Sequence, residues 1–166
     1  MKEQCPDCGG FFEPSDAAAH KYLGASPGCW AAFNVVMARE FQDAAYFAAH
    51  RFTVDAYTAQ HPGDPADRRA VQSANIHLAA LFLIVEKGRP QNVPALLSAL
   101  ATGHKDKFKP LAEPQPFSIT VNDIVAAEDA AAHCERARDW AEDVWRANAV
   151  NQDRARELAA IAGMEG

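Results

Sequence analysis

From Ser26 to about Ala162 the apolar residues return every three or four positions and form no convincing alternating run, a period that builds helices and leaves no material for a sheet. Caps and prolines punctuate the pattern. In "SPGCWAAFNVVMAREF", Ser26 is a good N-cap, and Pro27 suits the first helical position because the first turn has no use for the N–H that proline lacks. Trp30, Phe33, Met37 and Phe41 then draw one apolar face. A second helix is expected to open at Asp43 and run until Pro62 and Gly63 stop it. Asp64 and Pro65 repeat the cap-then-proline signal, Asp67 suits the positive end of a third helix, and Gly88 ends that helix after Lys87. Its last two turns, "LAALFLIV" from Leu78 to Val85, are apolar all round, which predicts a central, buried helix.

A fourth helix fits Val93 to Thr102, and a connection with Pro110, Pro114 and Pro116 follows. Thr120 and Asp123 mark a new N-terminus, and the chain from there to about Ala162 reads as one broken helix or two consecutive ones, with Trp140 and Trp145 as packing aromatics. Residues 1–25 hold glycines, prolines and little periodicity. The expected fold is therefore all-α and a single domain over residues 1–166: a helical bundle over 26–162 with a loop-rich, zinc-binding N-terminal module over 1–25.

That module contains "CPDCGG". Two thiols separated by two residues reach one tetrahedral ion, and the glycines after the second let the backbone turn its N–H groups toward the sulfurs. Cys5 and Cys8 meet this requirement, and His20 and Cys29 are the candidates to complete the set. The predicted cap places Cys29 in the first turn of a helix, where the macrodipole favours a thiolate. The order Cys-x2-Cys-x11-His-x8-Cys would be a closed Cys3His site, the composition of structural zinc. A thioredoxin-type dithiol expects a βαβ context that this pattern lacks. Cys134 reads as a small buried residue, and His104, among lysines, as solvated.

A second feature is "HRFTVDAYTAQHPG". At 100° per residue, His50, Val54, Tyr57 and His61 fall in one stripe, whereas Asp55 lies roughly 140° from His50. His77 sits inside the apolar third helix and His133 near the start of the late one. Helices that each bring a polar group inward are how bundle cores build metal sites, so His50, His61 and His77 are candidate ligands of a second ion, with Asp55 or Tyr57 to orient them or handle a proton. Buried polar packing at the same histidines is the competing reading.

Charge narrows the function classes. A formal net charge of -6 and a pI near 5.4, with no Lys/Arg cluster, argue against a general nucleic-acid binder. The start "MKEQC" is no signal sequence and no apolar run is long enough to cross a bilayer, so the cytoplasm is expected, where cysteines stay reduced.

Taken together, "CPDCGG", "SPGCW", "VDAYTAQHPG", the "HL" at His77 and "WAEDVW" at residues 140–145 resemble a bacterial family catalogued as domain of unknown function fifty-nine forty-six. The resemblance covers nearly the whole chain, and Cys5, Cys8, Cys29, His50, Asp55, His61 and His77 match positions of the family. It implies small bacterial proteins with a cysteine-containing N-terminus and no agreed activity. The favoured expectation is a zinc-stabilised helical binding or adaptor protein for an unknown protein or small-molecule partner. The alternatives are a metal-dependent, hydrolase-like enzyme with a second site in the bundle, and a thiol-based redox or metal sensor.

Overall fold

The computed structural model describes residues 1–164. The fold is all-α apart from one short hairpin, in which β1 (Glu3–Gln4) pairs antiparallel with β2 (Phe11–Phe12). The helices are α1 (Pro27–Gln42), α2 (Ala44–Phe47), α3 (His50–Gln60), α4 (Arg68–Leu81), α5 (Val93–Gly103), α6 (Val121–Val125), α7 (Ala130–Ala147) and α8 (Gln152–Ile161). The bundle centres on α3, α4, α7 and α8; α1 lies against α2 and α6, and α5 covers α4.

Most of the predicted punctuation holds. Ser26 caps α1, its Oγ accepting the Cys29 N–H at 3.2 Å, with Pro27 at the first helical position. The "LAALFLIV" segment is the buried centre: Leu78, Ala79, Ala80, Leu81 and Leu83 are almost wholly inaccessible, and the helix continues beyond α4 as a π-helical turn over Phe82–Glu86 before Gly88. Thr120 and Asp123 form the expected capping box on α6. Trp140 is fully buried, its indole N–H donating to Gln60 Oε1 at 3.3 Å.

Three expectations shift. The helix expected from Asp43 to Gln60 is broken: α2 makes a single turn, Ala48 and Ala49 turn the chain, and α3 starts anew at His50. The break re-aims α3 so that His50 and Thr53 meet α1. The third helix is capped by Asp67, whose Oδ1 accepts the Arg69 and Ala70 N–H groups at 2.8 and 3.4 Å, while Asp64 closes the turn around Pro65 by accepting the Ala66 N–H. Cys134 is half-buried, with its sulfur 3.5 Å from the Ala45 carbonyl.

The proline-rich connection is tied down by buried polar side chains. Asp143 accepts the N–H groups of Ser118 and Ile119 at 2.9 and 3.0 Å, and Asn151 exchanges hydrogen bonds with both the N–H and the carbonyl of Ala112. Each removes the desolvation cost of backbone groups that no helix satisfies.

At the opposite end of α3 stands a second buried tie. Glu40, 1% exposed at the end of α1, accepts His133 Nε2–H of α7 at 2.9 Å and His50 Nδ1–H of α3 at 2.8 Å. The Thr53 hydroxyl lies 2.8 and 2.9 Å from its two oxygens. One carboxylate thus fastens three helices, and removing it strands the buried His133 N–H and takes an acceptor from His50 and Thr53. Glu40→Ala is expected to cost about 3–5 kcal/mol, the usual effect of breaking a buried charged network, and Glu40→Gln less because one acceptor remains; urea unfolding of both variants checks the order.

Candidate metal centre

The hairpin is the frame for the first two thiols. Between β1 and β2 the chain folds into a knuckle in which Cys5 N–H donates to the Gly10 carbonyl at 2.8 Å, Gly9 N–H donates to the Cys5 carbonyl at 3.0 Å, and Gly10 N–H points at Cys8 Sγ at 3.5 Å. Gly9 makes this turn in the left-handed region, at φ +74°. Backbone N–H groups aimed at sulfur favour the thiolate and hence a bound cation.

Cys29 arrives from the first turn of α1, as its cap predicts, and the neighbouring Ser26 N–H donates to Cys5 Sγ at 3.4 Å. The fourth donor comes from the C-terminal cap of α3. His61 Nε2 is 3.4 Å from Cys29 Sγ, which is 4.0 Å from Cys8 Sγ. The ligand atoms of Cys5, Cys8, Cys29 and His61 all lie within 4.8 Å of one another, in a buried cluster able to hold a metal ion.

The surroundings fix these donors. His61 Nδ1–H donates to the Tyr57 carbonyl at 2.6 Å, which selects the tautomer whose Nε2 lone pair faces the sulfurs. The Tyr57 hydroxyl is 3.5 Å from Cys29 Sγ, its ring stacks on Phe33 at 3.8 Å, and burial pushes its phenol up. Hydrogen bonds from the Cys29 and Cys8 thiols hold the Cys5 sulfur well below the usual thiol range, and the same contacts push the Cys29 thiol up. Burial alone would lower the His61 imidazole, but hydrogen bonds to the Cys5 and Cys8 sulfurs outweigh it and bring it up to about 9. The Cys5 sulfur thus carries the negative charge of the cluster and the His61 imidazole a compensating proton, which an incoming cation would displace.

His20, the fourth ligand expected from spacing, lies outside the cluster and is replaced there by His61. Its Nδ1 accepts the N–H groups of Tyr22 and Leu23, both at 3.3 Å, and its ring sits edge-on to Tyr22 and Trp30. It organises the loop that carries the chain from the knuckle to α1. Burial, with the charges of Arg69 and Lys21, pushes this imidazole down.

The stripe of His50, Tyr57 and His61 does point one way, but it does not make one site. Eleven residues of helix separate its ends by roughly 16 Å at 1.5 Å per residue. His61 joins the cysteines, His50 binds Glu40, and His77 donates from Nδ1 to Asp55 at 2.7 Å while Arg51 clasps the same carboxylate at 2.7 and 2.8 Å. The second centre for which His50, His61 and His77 are candidates is thus not assembled, and His50 and His77 follow the competing reading of polar packing; the cysteine cluster alone brings three or more ligand-type side chains close enough to share an ion among the described residues.

Two residues that spacing did not flag complete the clamp. Asp7, inside the Cys-x2-Cys loop, accepts the Gly63 N–H at 2.8 Å and so ties the knuckle to the turn carrying His61; burial pushes its carboxyl up. Glu3 accepts the Gly28 N–H at 3.0 Å, tying the hairpin to the start of α1. Gly63 has φ +72°, and any Cβ there would collide with the Tyr22 carbonyl oxygen. The sequence "QHPG" reads physically as ligand, helix stop and close-packed turn.

Residues 3–149 match the model of a family of unknown function (DUF5946), and the chain belongs to that family. Comparison with curated proteins and with solved structures gives no match.

Two outcomes test the ligand set. His61→Ala is expected to lose bound metal while His20→Ala keeps it, as measured by elemental analysis of the purified variants. Since an ion must displace protons from the thiols, retention should fall as pH is lowered and recover as it is raised; a metal-indicator titration from acidic to neutral pH reads this directly.

Proposed function

We propose that this DUF5946 member is a zinc-binding helical protein whose ion is structural: it clamps residues 1–25 onto the bundle so that the chain folds as one domain, and the protein acts by binding a partner. The observation that carries this reading is the closed Cys3His set, drawn from the knuckle, the N-terminus of α1 and the C-terminus of α3. Four protein donors fill a tetrahedron and leave no position for substrate.

The donor geometry fits zinc. With Zn–S near 2.3 Å and Zn–N near 2.0–2.1 Å, a tetrahedron places sulfurs roughly 3.8 Å apart and sulfur and nitrogen roughly 3.6 Å apart; Cys8 and Cys29 Sγ are 4.0 Å apart, Cys29 Sγ and His61 Nε2 3.4 Å, and all four donors lie within 4.8 Å. Three sulfurs and an imidazole also suit zinc better than the oxygen-seeking magnesium or calcium. Cys5, Cys8 and Cys29 are at most 5% exposed, which shields the ion from exchange and favours a structural role over a sensing one.

Thiol ligands need a reducing compartment, for which the cytoplasm is the natural choice. Among the described residues no helix is long and apolar enough to cross a membrane.

Magnitude supports the same reading. Structural zinc sites in small peptides bind with apparent free energies of about 10–16 kcal/mol, comparable to or larger than the roughly 5–15 kcal/mol net stability of a whole domain. The native protein is expected to carry one zinc per chain by elemental analysis. Cys8→Ser should lose it with a lowered Tm, and His50→Ala should retain it. Two metals per chain, one missing only in His50→Ala, would overturn the proposal.

A further inference from the structure

Away from the cysteine cluster, α4 presents a polar stripe to the cleft it forms with α5. Gln72 and Ser73 stand three and four residues after Arg69, and His77 four after Ser73, so the four border one side of the helix. They line a cleft of ≈320 Å³ between α4, α5 and the Tyr22 loop, with Leu97 as an apolar wall. This volume lies at the small end of the range of about 300–1,000 Å³ that ligand pockets occupy.

Two features make it more than a surface groove. The first is His77. Its Nδ1–H is committed to Asp55, a fully buried carboxylate that Arg51 holds from the other side. The ring is thereby fixed in orientation, and in the neutral imidazole the remaining nitrogen, Nε2, carries a lone pair. That atom has no hydrogen-bond partner among the described residues and is not among the buried polar atoms left unpaired, so it is open to solvent, and His77 lines the cleft. An oriented acceptor with no protein donor is a feature that a ligand completes.

The second is Arg69. Its guanidinium stands 5.5 Å over the Tyr22 ring, and no carboxylate lies within ion-pair distance of it among the described residues. A free, stacked guanidinium at the cleft rim, in a protein of net charge -6, is a local anchor for an anion.

We infer that this cleft binds a small carboxylate that also carries a hydroxyl, with the carboxylate on Arg69, the hydroxyl donating to His77 Nε2, and the apolar body against Leu97. The site stands on residues outside the metal cluster and names a small-molecule partner for the binding role proposed above. Asp55 and Arg51 act as positioning residues, setting the ring without touching the ligand.

Three probes separate its parts: 4-hydroxybenzoate carries anion and donor, benzoate the anion alone, and phenol the donor alone. Binding is followed by calorimetry and by the ring ¹⁵N signals of the histidines in the full chain with its metal content measured. The expected order is 4-hydroxybenzoate tightest, with a shift at His77 Nε2. Arg69→Gln should weaken both carboxylates about tenfold or more. His77→Gln should erase the advantage of 4-hydroxybenzoate over benzoate while leaving benzoate nearly unchanged. Because Arg69 is exposed and outside the core, its variant should fold normally. The same samples report metal, so lost binding with metal retained is distinguishable from a failed metal centre. No saturable shift at His77 with any probe, or equal binding to wild type and Arg69→Gln, overturns the inference.

Discussion

Three sulfurs and one imidazole nitrogen, supplied by parts of the chain more than fifty residues apart, lie within 4.8 Å of one another in the interior. The contacts among them are weak hydrogen bonds, 4.0 Å between Cys8 and Cys29 and 3.4 Å between Cys29 and His61. The thiols are weak donors and weak acceptors, and burial penalises any charge they develop. What surrounds them is arranged for sulfur that carries charge: N–H groups from Gly10 and Ser26, the Tyr57 hydroxyl, and a histidine whose outer nitrogen is already committed. The knuckle, the start of α1 and the end of α3 each owe their local conformation to delivering one or two of these donors. The second set of ties, Glu3 to Gly28 and Asp7 to Gly63, holds the same three pieces together by hydrogen bonds that need no ion.

Much of this was legible in the sequence. Ser26 and Pro27 announce the helix whose first turn carries Cys29, and the glycines after Cys8 announce the knuckle, because both signals are local and backbone-driven. The identity of the fourth donor was not legible, since spacing favours His20 and the outcome depends on how α3 returns to the N-terminus. The turn that Pro62 and Gly63 force after His61 was visible, and so was the placement of His61 on the face of Tyr57. What was missing was the long-range contact that puts that face against the cysteines. Likewise the common stripe of His50 and His61 was read correctly around the helix, but its length along the axis decides that they serve different neighbours.

Glu40 was missed for a different reason. In α1 it shares the buried side with Phe33 and Val36, whereas the stripe drawn by Trp30, Phe33, Met37 and Phe41 ends on a residue that is 69% exposed, so the buried face is turned from the apolar one and closes on a glutamate. That anomaly is itself a signal: a charged residue on the inward stripe implies donors waiting opposite, here His50, Thr53 and His133. Asp55 obeys the same logic between Arg51 and His77. The bundle therefore combines an apolar centre on α4 with carboxylates fastened at its flanks.

Along α3 these ties occur at three heights: His50 and Thr53 on Glu40 near its start, Asp55 on His77 in the middle, and His61 on the cysteines at its end. Each constrains the helix in rotation and in height, and together they key it like a shaft with three pins. Inserting or deleting one residue within α3 turns everything beyond it by about 100° and shifts it by about 1.5 Å. A lesion before Asp55 would throw both the middle and the end pins out of register at once. Relatives of this chain should therefore tolerate changes of length in the loops around α3 and hold its own residue count fixed, because any other count would turn every later pin away from its socket.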